Sequence, residues 1–136
     1  MTLTDTGPLV ALINRNDPNH PKCMAAAKRL PAAPLLTTWP CFTEAMYLVF
    51  RAGGYKGQET LWNLLTSERL TLSELDADDV HRMAELMHKY RDRPMDLADA
   101  SIVAVAERFH IQILFSLDSD FHIYRLADGS VLQVVP

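Results

Sequence analysis

Cysteine, glycine and basic charge are all scarce in this chain, and each scarcity closes off a class of function. The two cysteines, Cys23 and Cys41, form neither a metal-type nor a redox-type spacing, so a zinc knuckle and a thiol-exchange site are both excluded. Only five glycines occur in 136 residues, and none falls in a phosphate-binding loop motif. The five histidines are scattered without the paired spacing of a metal site. No uninterrupted apolar run approaches the length of a membrane span, and the most apolar helical stretch is broken by Thr43 and Glu44. The N-terminus has no basic segment leading into an apolar one, so a cytoplasmic protein with free thiols is expected. Lysine and arginine number 13 against 17 acids, a net charge of −4. That balance weighs against a phosphate-rich partner, because such partners are held by Lys and Arg. The argument softens if four of the carboxylates converge on one divalent cation, because the remainder is then neutral and the ion adds local positive charge.

What is present is an alternation of short apolar strands with helices. Thr2-Leu3-Thr4 reads as a strand, Asp5 follows it directly, and Gly7-Pro8 turns the chain into the apolar run Leu9 to Ile13. The spacing predicts helices over 22–30, 41–51, 57–68 and 97–109, and another that starts at Asp76 and carries Val80, Met83, Ala84 and Met87 on one face, with strands at 35–38, 70–75, 112–116 and 131–135. The 41–51 helix is apolar on nearly every side, which predicts burial. Strands alternating with helices imply an α/β fold: one domain over residues 1–136, with a central parallel sheet and helices on both faces.

Five acids stand out by context. Asp5 and Asp118 each follow an apolar strand, where ligands collect in open parallel sheets. Glu44 is the one charge in an otherwise apolar helix, a costly position for a carboxylate unless it is paired, metal-bound or able to reach water. Asp96 and Asp99 share the first turn of an alanine-rich helix, on one face. Each has a plain structural alternative as well. Asp5 can cap the helix it precedes, Asp96 and Asp99 can form a capping box, and Asp118-Ser119-Asp120 can be an Asx turn. Clustered carboxylates repel unless a cation joins them, and hard oxygen ligands suit Mg²⁺ or Mn²⁺.

In order along the chain, Leu3-Thr4-Asp5-Thr6-Gly7-Pro8-Leu9, Thr43-Glu44, Pro94-Met95-Asp96-Leu97-Ala98-Asp99-Ala100-Ser101 and Ser116-Leu117-Asp118-Ser119-Asp120-Phe121 resemble the PIN-domain ribonucleases. The branch they are most similar to is the VapC-type toxins of type II toxin–antitoxin pairs. The resemblance implies a PIN-like sheet and an endoribonuclease dependent on Mg²⁺ or Mn²⁺, leaving a 5′-phosphate and a 3′-hydroxyl. It maps an acidic quartet onto Asp5, Glu44, Asp99 and Asp118, with Asp96 as an additional metal-site acid. Thr6 and Ser116 match supporting hydroxyl positions, Ser116 standing where Thr is more usual, and Asp120 is a further supporting acid. RNA, a cognate antitoxin and a second copy of the chain are the partners implied, the last two drawn to the surplus apolar surface of Leu61, Trp62, Leu64 and Leu65, residues that ordinary core packing would account for equally well. Arg51, Lys56, Arg91 and Arg93 are the candidate RNA-binding cations. The alternative from another class is a non-catalytic PIN-like module that keeps the acidic pocket as a relic.

Overall fold

Five three- and four-residue strands, each too short to stand alone, are held by pairing into one parallel sheet. The computed structural model describes residues 1–136. In chain order the elements are β1 (Thr2–Thr4), α1 (Thr6–Ile13), α2 (His20–Arg29), β2 (Leu35–Thr38), α3 (Trp39–Gly53), α4 (Tyr55–Thr66), β3 (Leu70–Ser73), α5 (Ala77–Lys89), α6 (Leu97–Phe109), β4 (Ile113–Phe115) and β5 (Gln133–Val135), with a 3₁₀ turn at Ser119–His122. The sheet order is β3-β2-β1-β4-β5, all parallel, so β1 is central. The chain builds outward from β1 through β2 and β3, then returns to place β4 on the opposite side of β1. The strand order therefore reverses between β1 and β4, and the crevice beyond their carboxyl ends is where such sheets bind ligands.

Alternation along the strands sorts the core onto two faces. Leu3 faces the same way as its register partners Leu36 and Leu114, and these pack with Met83 and Leu86 of α5 and the inner residues of α6. Phe115 turns to the other face, against Ala11 and Cys23. A further cluster of Leu9, Phe42, Ala45, Val49, Leu61 and Leu70 joins α1, α3 and α4. Every residue from Ala98 to Ala106 is buried, because alanines at 98, 100, 104 and 106 let α6 lie close on the sheet while α5 covers its outer side. Gly57 serves a similar purpose: a Cβ there would meet the Val49 carbonyl oxygen at 2.9 Å, so only glycine allows α4 to approach α3 this closely.

The element order matches expectation, but several boundaries and one burial pattern do not. The strands end at Ser73 and begin at Gln133, inside the predicted 70–75 and 131–135, because pairing to β2 and β4 stops there. Helix α3 starts at Trp39, capped by Thr38, and runs to Gly53, with Gly54 at φ +71° separating it from α4. It is not buried all round. Phe42, Ala45 and Val49 form its inner arc, whereas Trp39, Tyr47 and Phe50 are 49, 60 and 52% exposed. Of the apolar residues in α4, Leu61 is fully buried and Leu64 and Leu65 pack against the core, leaving Trp62 facing outward.

Candidate metal centre

Three elements end at the reversal in strand order, and each delivers acid there. Asp5 caps α1 immediately after β1. Its Oδ1 accepts the Thr6 N–H at 2.8 Å and its Oδ2 accepts the Ser116 hydroxyl at 2.9 Å. The Cys41 thiol lies 3.7 Å from the same Oδ1, and the Thr6 hydroxyl donates to the Cys41 carbonyl at 3.3 Å, tying the starts of α1 and α3 together. The side-chain oxygen of Ser116 also accepts the Asp118 N–H at 3.0 Å, so one hydroxyl couples the acids after β1 and β4. A serine oxygen suffices for both bonds. Asp118 in turn accepts the Asp120 N–H at 2.9 Å, the Asx turn anticipated from Asp118-Ser119-Asp120.

On α6 the capping box forms as its sequence predicts. The Asp99 N–H donates to Asp96 Oδ1 at 2.8 Å, and the Asp96 N–H reaches back to Asp99 Oδ2 at 3.5 Å. Capping leaves Asp96 exposed, while Asp99 is 7% exposed and faces inward.

Asp5, Glu44, Asp96, Asp99 and Asp118 line one cleft of about 270 Å³, together with Thr6, Gly7, Ala98 and Leu117. No basic side chain lines it. Glu44 arrives differently from expectation: it sits on the solvent side of α3 and is exposed, because the inner arc of that helix is filled by Phe42, Ala45 and Val49. Glu44 therefore escapes the full cost of a buried carboxylate and reaches the cleft from its rim. Asp120 does not line the cleft and pairs with Arg93 at 3.7 Å.

Burial, and crowding without a counter-charge, favour the protonated forms of Asp99, Asp5 and Glu44. Asp99 is pushed up to about 7, first by burial and then by the charges of Asp96, Asp5 and Asp118. Asp5 is raised by burial, against the opposing pull of its bonds from Thr6 and Ser116. Partial burial, then Asp96 and Asp5, raise Glu44. The Cys41 thiol is pushed up to about 12 by burial and by Asp5, which makes it an inert donor rather than a nucleophile.

The donor set fits a hard divalent cation: five carboxylates, no imidazole or thiolate directed into the cleft, and an uncompensated negative field. No three of the acids form a ready-made chelate, and several of their oxygens are taken by hydrogen-bond donors: both of Asp5, Oδ1 of Asp96 and of Asp118, and Oδ2 of Asp99. The candidate cations are dispersed. Arg51 lies 5.9 Å from the Tyr47 ring centroid, two turns beyond Glu44 on the outer face of α3. Arg91 is folded onto the His88 carbonyl at 2.7 Å. Lys56 lies in a different groove, with Leu12 to Asn16 and the end of α3. One polar partner of the site went unread in the sequence, the buried Tyr124, whose hydroxyl donates to Asp99 at 3.1 Å. Nothing local marks it, since it lies in an irregular segment after the 3₁₀ turn.

A parallel α/β sheet with carboxylates gathered beyond its central strand ends defines the class: an α/β protein with an acidic cleft at the reversal in strand order. The sequence matches the PIN domain family over residues 2–127, and the chain belongs to that family. A relative, Ribonuclease VapC26 of Mycobacterium tuberculosis, is 25% identical over 139 residues, covering 98% of this chain and 99% of its own length. Among solved structures, M. tuberculosis VapC20, a Sarcin-Ricin loop cleaving toxin, superposes with a TM-score of 0.85 at 20% identity over the whole of both chains. VapBC2 from Rickettsia felis, bound to a DNA fragment from its promoter, has a TM-score of 0.66 at 16% identity over 99% of this chain and 98% of its own. No helix is long and apolar enough to cross a membrane.

Proposed function

We propose that this protein is a metal-dependent endoribonuclease and the toxin of a type II toxin–antitoxin pair, hydrolysing RNA phosphodiesters in a centre that takes Mg²⁺ or Mn²⁺. The observation that carries the reading is the cleft lined by five carboxylates and no cation, set where the strand order reverses. Its support from outside the chain is membership of the PIN family and likeness to a protein named as a VapC ribonuclease. A divalent ion bound here supplies Lewis-acid chemistry, activating water and neutralising charge at a phosphodiester.

The chain's own residues divide the remaining work. Asp5, Asp99, Asp118 and Glu44 are assigned as metal ligands, with Asp96 at the rim of the same cleft. Ser116 holds Asp5 and the Asp118 backbone in one register, and Thr6 fixes α1 against α3. Arg51 and Arg93 are assigned to hold the RNA strand outside the cleft. Arg51 projects from the outer face of α3, and Arg93 is anchored by Asp120 beside the acidic turn. The exposed aromatic surface of Trp39 and Trp62, which brackets Phe42 edge-to-face at 5.9 and 5.3 Å, is assigned to the antitoxin or to a second copy of the chain.

The purified full chain should cut total RNA or tRNA in Mg²⁺ or Mn²⁺, and EDTA should stop it. A clean preparation inert on both RNAs with either metal, and without growth arrest on expression, would identify a non-catalytic interaction module instead. Glu44→Gln discriminates within the site. Its expected effect is a fall of roughly tenfold or more in Mn²⁺ affinity, the scale set by disturbing a metal's immediate surroundings. The thermal midpoint of the metal-free protein should hold or rise slightly, because repulsion with Asp96 and Asp5 is relieved. Titration calorimetry showing wild-type Mn²⁺ binding would remove Glu44 from the ligands.

A further inference from the structure

Behind Asp99, on the side away from the cleft, stands a side chain with no part yet in the chemistry. Tyr124 is 3% exposed, and its hydroxyl donates to Asp99 Oδ2 at 3.1 Å. The Asp96 N–H approaches the same oxygen at 3.5 Å. Both tethers fall on Oδ2. Asp99 Oδ1 accepts no hydrogen bond from the protein, and no buried side-chain oxygen lacks a partner, so Oδ1 is open to the solvent of the cleft.

The phenol is itself held rigidly. Its ring meets Phe121 edge-to-face at 5.4 Å and 90°, and Tyr90 at 4.9 Å and 62°. The Tyr124 N–H donates to the Asp120 carbonyl at 3.1 Å, and the Tyr90 hydroxyl accepts the Arg125 N–H at 2.9 Å. The hydroxyl therefore has one place to be. Its chemistry also suits the task, since a phenol donates a charge-assisted hydrogen bond without bringing a positive charge. A lysine or arginine there would compete with a cation for Asp99, whereas tyrosine orients the carboxylate and leaves its charge available.

We infer that Tyr124 is a positioning residue of the metal centre: by tying Asp99 Oδ2 it aims Oδ1 into the cleft for the ion. The inference rests on Asp99 being a metal ligand, and it adds a second, aromatic layer behind the acids. Partners that hydrogen-bond a ligating carboxylate commonly set metal affinity by about 10–100-fold.

The test uses the full chain and Mn²⁺ alone, without RNA, by titration calorimetry. Tyr124→Phe keeps the ring and its edge-to-face contacts, so the thermal midpoint of the metal-free protein should change little while the Kd for Mn²⁺ rises about tenfold or more. In an Asp99→Asn background the same substitution should leave Mn²⁺ affinity where Asp99→Asn alone puts it. In a Glu44→Gln background it should keep its full effect. Wild-type Mn²⁺ affinity in Tyr124→Phe would overturn the inference, as would a loss of equal size in all three backgrounds, which would mark general loosening of the loop. A wild-type protein that binds no Mn²⁺ would overturn the metal reading of the whole cleft along with it, a result distinct from failure of the tyrosine alone.

Discussion

Asp99→Asn should lower RNA cleavage by at least about 10²-fold, the loss typical when one member of a preorganised charged site is removed, while making the metal-free protein more stable at pH 8. The two effects have one cause. Asp99 is buried among Asp96, Asp5 and Asp118, so ionising it in the fold is opposed and its carboxyl is pushed up to about 7 from an ordinary 3.8. The folded state consequently binds more protons than the unfolded one between those values. Stability from this group is complete below about pH 4 and is lost as pH rises through about 7. A three-unit shift corresponds to about 4 kcal/mol, and halving it for solvent screening in an open cleft leaves about 2 kcal/mol. For a domain of this size that is a fall in Tm of roughly 5–10 °C between pH 4 and pH 8. Thermal melts in EDTA should show this fall in the wild type and a much flatter profile in Asp99→Asn. Saturating Mn²⁺ should abolish the difference for the wild type only. Asp96→Asn should cost less activity, because Asn caps a helix nearly as well as Asp and Asp96 stands at the rim. An Asp96→Asn variant as inactive as Asp99→Asn at saturating Mn²⁺ would promote Asp96 to a ligand of equal rank.

The largest stability loss is expected far from the cleft, at Arg108. This guanidinium bonds the carboxylates of Asp76 (3.0 Å) and Asp79, and donates to the Glu74 carbonyl at 3.1 Å. Asp79 is 4% exposed and is the inner acid of the α5 capping box, so Arg108 neutralises a buried carboxylate while pinning the start of α5 to the end of α6. Removing one partner of a buried pair strands the other, at a cost of about 3–5 kcal/mol when both are fully dry. Arg108 is 29% exposed at its side chain, which places the expected cost of Arg108→Ala nearer 2–3 kcal/mol, a Tm drop of roughly 6–12 °C. Cleavage at 25 °C should stay within about twofold of wild type, since folded molecules keep the acids in place at that temperature. A double-mutant cycle with Asp79→Asn should show clear non-additivity, and a drop of under 2 °C in Arg108→Ala would mean that water already satisfies Asp79.

Local pattern was enough for the parts of this protein that local physics decides. Asp96 with an acid three residues on determines a capping box, because the donors it satisfies belong to the same helix. Alanine at 98, 100, 104 and 106 determines that α6 lies against the sheet, and alternating strands and helices determine a parallel α/β fold. The position of Asp5 and Asp118 after strands was equally legible, and the pairing of β1 with β4 brings those strand ends side by side.

Tertiary structure decided what depends on which side of an element meets the core. Glu44 looked like a buried charge because its neighbours in sequence are apolar, yet packing spends only the Phe42, Ala45 and Val49 arc of α3, leaving the glutamate and three aromatics in solvent. The same selection drew Leu61 inward and left Trp62 outside. Asp120 differs from Asp118 by two residues, and only the 3₁₀ turn between them sends one to the cleft and the other to Arg93. Tyr124 carries no sequence signal because its hydrogen bond to Asp99 spans 25 residues. Hydrogen bonds and charges act over a few ångströms of space whatever the separation along the chain. The acids could therefore be named from their local settings, while their shared cleft, the raised pKa values of Asp5, Glu44 and Asp99 and the tyrosine beside them exist only once the sheet has closed.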